Sequence, residues 1–175
     1  MDKTFFLLKP DCLDRGLIYK CYEKLRFAGF VIDNMILVHL DPDTITRLYY
    51  PFTIANAPAK YKSMKQKFII EYLSSGLCSY IKVHLDASVN FNKPIFDFAR
   101  EVQGFDYYPE HCQSGSIRFD LRNKEKDGTW ITLENIPNFG NVAGEIVYNL
   151  VHTPANIEEY QHQAKILDRC INSHS

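Results

Sequence analysis

The chain has no apolar run long enough to cross a bilayer. Its main apolar stretch near the start, Thr4 to Leu8, stops at Lys9-Pro10-Asp11, far short of the roughly 20 residues of a membrane helix and shorter than a signal h-region. A cytoplasmic protein without a membrane partner is expected. One sign of charge does not dominate either: 20 Lys and Arg stand against 21 Asp and Glu, a formal net charge of -1. No global field then draws the chain to nucleic acid or anionic lipid, and any anion site must be local. The five cysteines (Cys12, Cys21, Cys78, Cys112, Cys170) are odd in number and scattered, with no Cys-x-x-Cys pair. That pattern gives no basis for a disulfide framework or a protein metal site, and free thiols are expected. Internal repeats and low-complexity tracts are also absent.

What is present suffices for one core. A chain of 175 residues, 46% hydrophobic and 14% aromatic, fits a single domain spanning 1–175. Thr4 to Leu8 reads as a buried strand ending in a turn. Apolar residues Leu17, Ile18, Cys21, Tyr22, Leu25 and Ala28 then recur at helical spacing after Asp14, a candidate N-cap, and Gly29 is a natural stop. Phe30 to Leu40 reads as a strand, Asp43 to Tyr50 as a short helix capped by Asp43, and Pro51 to Ala59 as a loop. Lys60 to Ser74 reads as a helix and Leu77 to Leu85 as a strand, and Asn92-Lys93-Pro94 opens a helix to about Val102.

Ser116 to Leu121 is the candidate fourth strand. The charge-balanced segment from Arg122 ends in Asp127-Gly128, a hairpin turn signal, so a solvated hairpin insertion is expected at about 122–144. Asn156 and Glu159 have capping-box spacing and start the last helix, which buries Ile157, Tyr160, Ala164 and Leu167. Alternation of helices with about four strands suggests an α+β fold, a ferredoxin-like sandwich with an antiparallel sheet and helices on one face.

Three motifs occur in order. Thr4-Phe5-Phe6-Leu7-Leu8-Lys9-Pro10-Asp11 precedes Asp14-Arg15-Gly16-Leu17; Gly115-Ser116-Ile117-Arg118-Phe119-Asp120 follows; Asn149-Leu150-Val151-His152 is the third. Together they resemble the nucleoside diphosphate kinase family over about Lys3 to Leu167. Elementary chemistry gives the same residues sensible roles. A neutral imidazole is a good nucleophile near pH 7, and just ahead of a helix it lies beside donors suited to phosphate. Phosphoryl transfer otherwise needs cations and in-line geometry, which Lys9, Arg100 and Arg118 can help supply.

The resemblance implies a ping-pong kinase. It would pass the γ-phosphate of ATP or another nucleoside triphosphate to a diphosphate through phosphorylated His152, with Mg²⁺ held mainly by the nucleotide. It also implies that Lys9 reaches phosphates and sugar, that Arg118 and Arg100 clamp phosphate, and that Asn149 meets the sugar 3′-hydroxyl. Tyr50 would stand beside the histidine, and Ile146 would pack on the base opposite an aromatic residue in Met64 to Phe68. Base contacts of that apolar kind imply broad nucleotide choice. The family's self-association implies a homo-oligomer, a dimer or a multiple of dimers.

Several positions depart from the family pattern. Cys12 and Phe119 replace glycines, Thr153-Pro154 replaces a small residue and a serine, and Gln163 replaces the glutamate that orients the histidine. A glutamine can orient but carries no charge, so Gln163→Glu is expected to accelerate phosphorylation. Two rival readings follow: a weak or inactive nucleotide-binding or interaction domain of the same fold, and an RNA-binding sheet. The second would need exposed aromatics on a basic strand pair, a pattern the sequence lacks.

Overall fold

The computed structural model describes residues 2–56, 59, 62–88, 92–105, 111–122 and 149–172. Beyond Arg122, the expected hairpin insertion lies outside the described residues, as does Ile146. The strands are β1 (Lys3–Leu8), β2 (Phe30–Val38), β3 (Cys78–Leu85) and β4 (Val151–His152). Helices α1 (Pro10–Asp14) and α2 (Ile18–Phe27) follow β1, and α3 (Pro42–Tyr49) and α4 (Lys62–Leu73) separate β2 from β3. Helices α5 (Ile95–Gln103) and α6 (Ile117–Asp120) precede β4, and α7 (Ile157–Asn172) ends the chain.

The strands form one four-stranded sheet in the order β2-β3-β1-β4, every neighbouring pair antiparallel. This is the expected ferredoxin-like topology. Its layering differs, because helices cover both faces. Phe5 and Leu7 join Leu48 of α3, Ile69 of α4 and Leu167 of α7 in one core, whereas Phe6 and Leu8 join Leu25 of α2 and Ala99 of α5 in another. The unbroken apolar run in β1 is the sequence cause, since alternate residues face opposite sides and a strand buried on both needs no polar face. The expectation of helices on one face is therefore corrected, and no open sheet face of an RNA reader is present among the described residues.

Local capping accounts for the other differences. Asp41, not Asp43, caps α3: its carboxylate accepts from the amides of Asp43 and Thr44 at 2.9 Å, with Pro42 at the first helical position. Asp14 ends α1 instead of starting a helix, because Pro10 opens a turn directly after β1. Ser116 to Leu121 is not a strand. Ser116 Oγ accepts from the Phe119 amide at 3.3 Å and caps the single turn of α6, leaving β4 as the fourth strand. Part of the expected loop after α3 is a π-helical turn, Tyr50–Ile54. Half of the capping box at α7 is present: the Glu159 amide donates to Asn156 Oδ1 at 2.9 Å, while Glu159 Oε2 accepts one residue further back, from the Ala155 amide at 2.8 Å. All five cysteines are buried and none is in a disulfide, and no helix among the described residues is long and apolar enough to cross a membrane.

Candidate active site

The site forms where β1 ends beside β4. The Lys9 amide donates to the Leu150 carbonyl at 2.8 Å, and the Leu150 amide donates to Asp11 Oδ2 at 3.2 Å. Between them, the Val151 amide reaches back to the Asn149 carbonyl at 2.6 Å, closing a three-residue turn about Leu150, whose φ is 63°. A left-handed non-glycine residue costs roughly 1–3 kcal/mol. The fully buried Leu150 side chain and its two clasped backbone groups offset that cost. The turn delivers His152 opposite Leu7 in β1.

The partners of Gln163 determine the histidine tautomer. Gln163 Nε2 donates to the Leu48 carbonyl at 3.2 Å and to Glu159 Oε1 at 3.0 Å, so Gln163 Oε1 must face the ring, 2.9 Å from His152 Nε2. Nε2 therefore carries the proton, and Nδ1 holds the lone pair with no hydrogen-bond partner among the described residues. The Tyr49 and Phe5 rings lie 5.3 and 6.3 Å from the imidazole, centroid to centroid. Burial lowers the pKa of His152 to about 3, the Gln163 bond opposing and the Lys9 and Arg118 charges adding to the effect. The ring is neutral at pH 7.

Two cations border this ring. Lys9, buried, donates to Asn149 Oδ1 and lies 5.7 Å from the Tyr72 ring centroid. Burial lowers its pKa to about 7, helped by Arg118 and opposed by Asp11 and Cys78. Asp11 accepts from the Tyr72 hydroxyl. Arg118, on the short α6, donates to the Gly104 carbonyl at 3.2 Å and the Val151 carbonyl at 2.8 Å. Gly104 has φ +104°, and a Cβ there would meet Cys112 Sγ at 2.7 Å and Arg118 Cβ at 3.0 Å, so the close approach requires glycine. Arg100, in the last turn of α5, stacks on Phe105 at 5.0 Å and exerts its charge on Glu159.

Lys9, Asn149, Arg118, His152 and Gln163 are thus brought together, and Arg100 stands beside Glu159. Tyr50 is not among them. It is 47% exposed and lines a surface groove with Arg47, Lys165 and Arg169, while Tyr49 takes the place beside His152. The correction is one of helical phase: α3 turns Tyr49 inward with Leu48 and Ile45, which sends Tyr50 outward. Phe68, within the span expected to supply a base-stacking aromatic, is buried in the core. Sequence reasoning saw Glu159 only as a capping residue and gave Asp11 no role of its own. For both, the signal was a motif already noted, the capping box and Lys-Pro-Asp.

No family model matches the chain. Among curated proteins, the nucleoside diphosphate kinase of Chloroherpeton thalassium is 28% identical over 67% of this chain and 72% of its own length. That of Pyrobaculum aerophilum is 22% identical over 94% and 93%. Among solved structures, a nucleoside diphosphate kinase from Borrelia burgdorferi, described as a transition state mimic with bound vanadate and ADP, superposes with a TM-score of 0.69 at 20% identity, covering 94% of this chain and 84% of that one. The Pyrobaculum aerophilum enzyme gives 0.68 at 19% identity over 94% of each chain. The fold is that of the nucleoside diphosphate kinases. A low sequence likeness to curated nucleoside diphosphate kinases accompanies it along nearly the whole chain.

Proposed function

We propose that the protein is a nucleoside diphosphate kinase working by a ping-pong mechanism through His152. The observation that carries the reading is the tautomer: Gln163 holds the proton on Nε2 and leaves the Nδ1 lone pair beside two cationic side chains. In the first half-reaction Nδ1 forms a bond to the γ-phosphorus. The bond from that phosphorus to the bridging oxygen breaks, and its electron pair leaves with the nucleoside diphosphate. In the second half-reaction the terminal oxygen of another diphosphate takes the phosphoryl group back.

Lys9, Arg118 and Arg100 stabilise the charge on the transferring group, and Asn149 meets the sugar hydroxyl. Among the described residues no group of three or more His, Cys, Asp or Glu could hold a metal ion; magnesium enters with the triphosphate, whose oxygens are its donors. Substrates are ATP and other nucleoside tri- and diphosphates, selected loosely by base, with Ile146 on the base. The protein acts in the cytoplasm as a homo-oligomer, a dimer or a multiple of dimers. Support for self-association is the edge strand β2, which exposes Val31, Met35 and Leu37.

Incubation with γ-labelled ATP and Mg²⁺ tests the reading. An acid-labile, base-stable phosphoprotein is expected, absent in His152→Ala and discharged by added diphosphate. One observation favours the rival, a weak or inactive nucleotide-binding domain: Arg118 already donates to two backbone carbonyls, which leaves fewer of its five N–H groups for phosphate. Tight diphosphate binding without any label on His152 would establish that rival. Sedimentation as a monomer at micromolar concentration would remove the oligomer.

A further inference from the structure

Gln163 stands where the family places a charged residue, yet a carboxylate is present one helical turn earlier. Glu159 is buried, and each of its oxygens accepts a separate N–H: Oε2 from the Ala155 amide at 2.8 Å and Oε1 from Gln163 Nε2 at 3.0 Å. A group that accepts at both oxygens is shaped as a carboxylate, since the acid form would turn one O–H toward a donor. Glu159 Oε1 also lies 3.7 Å from His152 Nε2, beside the Gln163 amide. Arg100 contributes an opposite charge nearby, although burial pulls the Glu159 pKa upward.

We propose that Glu159 is a positioning residue that supplies the negative charge for the His152 phosphoimidazolium, with Gln163 holding carboxylate and ring together. The inference rests on the ping-pong reading. When Nδ1 bonds phosphorus, the proton on Nε2 stays in place and the ring becomes cationic. Gln163 Oε1 accepts that N–H, and its own N–H donates to Glu159, so the amide fixes the carboxylate 3.7 Å from the ring nitrogen, where its charge acts directly. Neutral His152 needs little of this. The phosphorylated ring needs it most, and the charge therefore favours the intermediate over the resting state.

This arrangement reverses an expectation drawn from the sequence. Gln163→Glu would set a second carboxylate against Glu159 and remove the donor that now bonds both Glu159 and the Leu48 carbonyl. One of the two acids would take up a proton, so the variant should be no faster than the natural protein.

Single-turnover phosphorylation of the full chain by γ-labelled ATP tests the proposal. Glu159→Gln should slow labelling about tenfold, as expected for loss of a charge-assisted interaction. Adding Gln163→Glu to Glu159→Gln should restore most of the rate, because the charge returns to the ring from the neighbouring position. Asn156→Ala, which removes only the side-chain cap on the Glu159 amide, should lower the melting temperature and leave the rate unchanged.

A second readout does not depend on turnover. In ¹⁵N-histidine-labelled protein at pH 7.5, the His152 Nε2–H proton should move upfield in Glu159→Gln and stay in place in Asn156→Ala. An unchanged resonance in Glu159→Gln, an unchanged labelling rate, or a double variant no faster than Glu159→Gln overturns this role of Glu159. If the natural protein takes no label at all, the ping-pong reading fails, while the resonance still decides whether Glu159 acts on the ring.

Discussion

The Lys9 ammonium and the Asn149 side-chain oxygen, 140 residues apart in the chain, are hydrogen-bonded within the site. Burial lowers the Lys9 pKa from 10.5 to about 7, so at pH 8 much of the unliganded protein carries a neutral amine. Phosphate arriving at that amine favours its charged form. Nucleoside diphosphate binding at pH 8 should therefore take up a proton, measurable by calorimetry in buffers of different ionisation enthalpy. Uptake should shrink toward zero at pH 6, where the amine is already charged, and vanish in Lys9→Arg. Equal proton uptake in Lys9→Arg would assign the proton elsewhere.

Acid stability should depend on His152. Its folded pKa lies at about 3, below the ordinary 6.5, so between those values the unfolded chain binds a proton that the folded chain does not. Stability is full above pH 6.5 and falls as pH drops toward 3. Urea unfolding at pH 7 and pH 5 should show the natural protein losing about 1–2 kcal/mol more than His152→Gln over that interval. Parallel losses in the two proteins would show that the ring protonates freely in the folded state.

Gly104→Ala should destabilise the fold by roughly 2 kcal/mol or more, since the new Cβ meets Cys112 and Arg118 and the backbone is left-handed there. The methyl also pushes on the side chain that clasps the Val151 carbonyl. Loss of melting temperature should then be accompanied by slower labelling of His152. A variant as stable as the natural protein would contradict the packing at Gly104.

Adjacent tyrosines should behave oppositely. Tyr49→Ala removes a buried ring against His152 and should cost about 3–5 kcal/mol, the range for truncating a buried aromatic. Tyr50→Ala alters an exposed side chain and should change stability by no more than about 0.5 kcal/mol, with the labelling rate unaffected. Loss of activity in Tyr50→Ala would restore Tyr50 to the site.

The family motifs could be read because each is local. Lys-Pro-Asp marks the end of a buried strand, and Asn-x-x-His keeps its spacing whatever surrounds it. Tyr50 faces solvent and Tyr49 the site because a single helical step of about 100° decides between the two, and nothing local in Leu-Tyr-Tyr distinguishes its two tyrosines. The one-turn helix at Ile117 looked like a strand because four residues are too few to show a period, and only the Ser116 cap distinguishes them. Strand β4 was read as a motif and not as a strand, since two residues have no alternation to detect. The second role of Glu159 is a tertiary fact. Nothing in its spacing from Asn156 reveals that the same carboxylate also meets Gln163.

A strand of two residues cannot secure its own alignment. Alternate residues face opposite sides, so slipping β4 by one position along β1 would drive His152 into the core shared by α2 and α5 and turn Val151 toward α7. That alignment is held instead by contacts to residues within and just after β1: the Leu150 clasp on Lys9 and Asp11, and the Thr153 hydroxyl on the Phe5 carbonyl at 2.8 Å. All of these act from Leu150 onward. Residues ahead of Asn149 can then be gained or lost without turning His152 from its place, whereas a single insertion or deletion between Asn149 and Thr153 would redirect the imidazole while sparing most of the sheet.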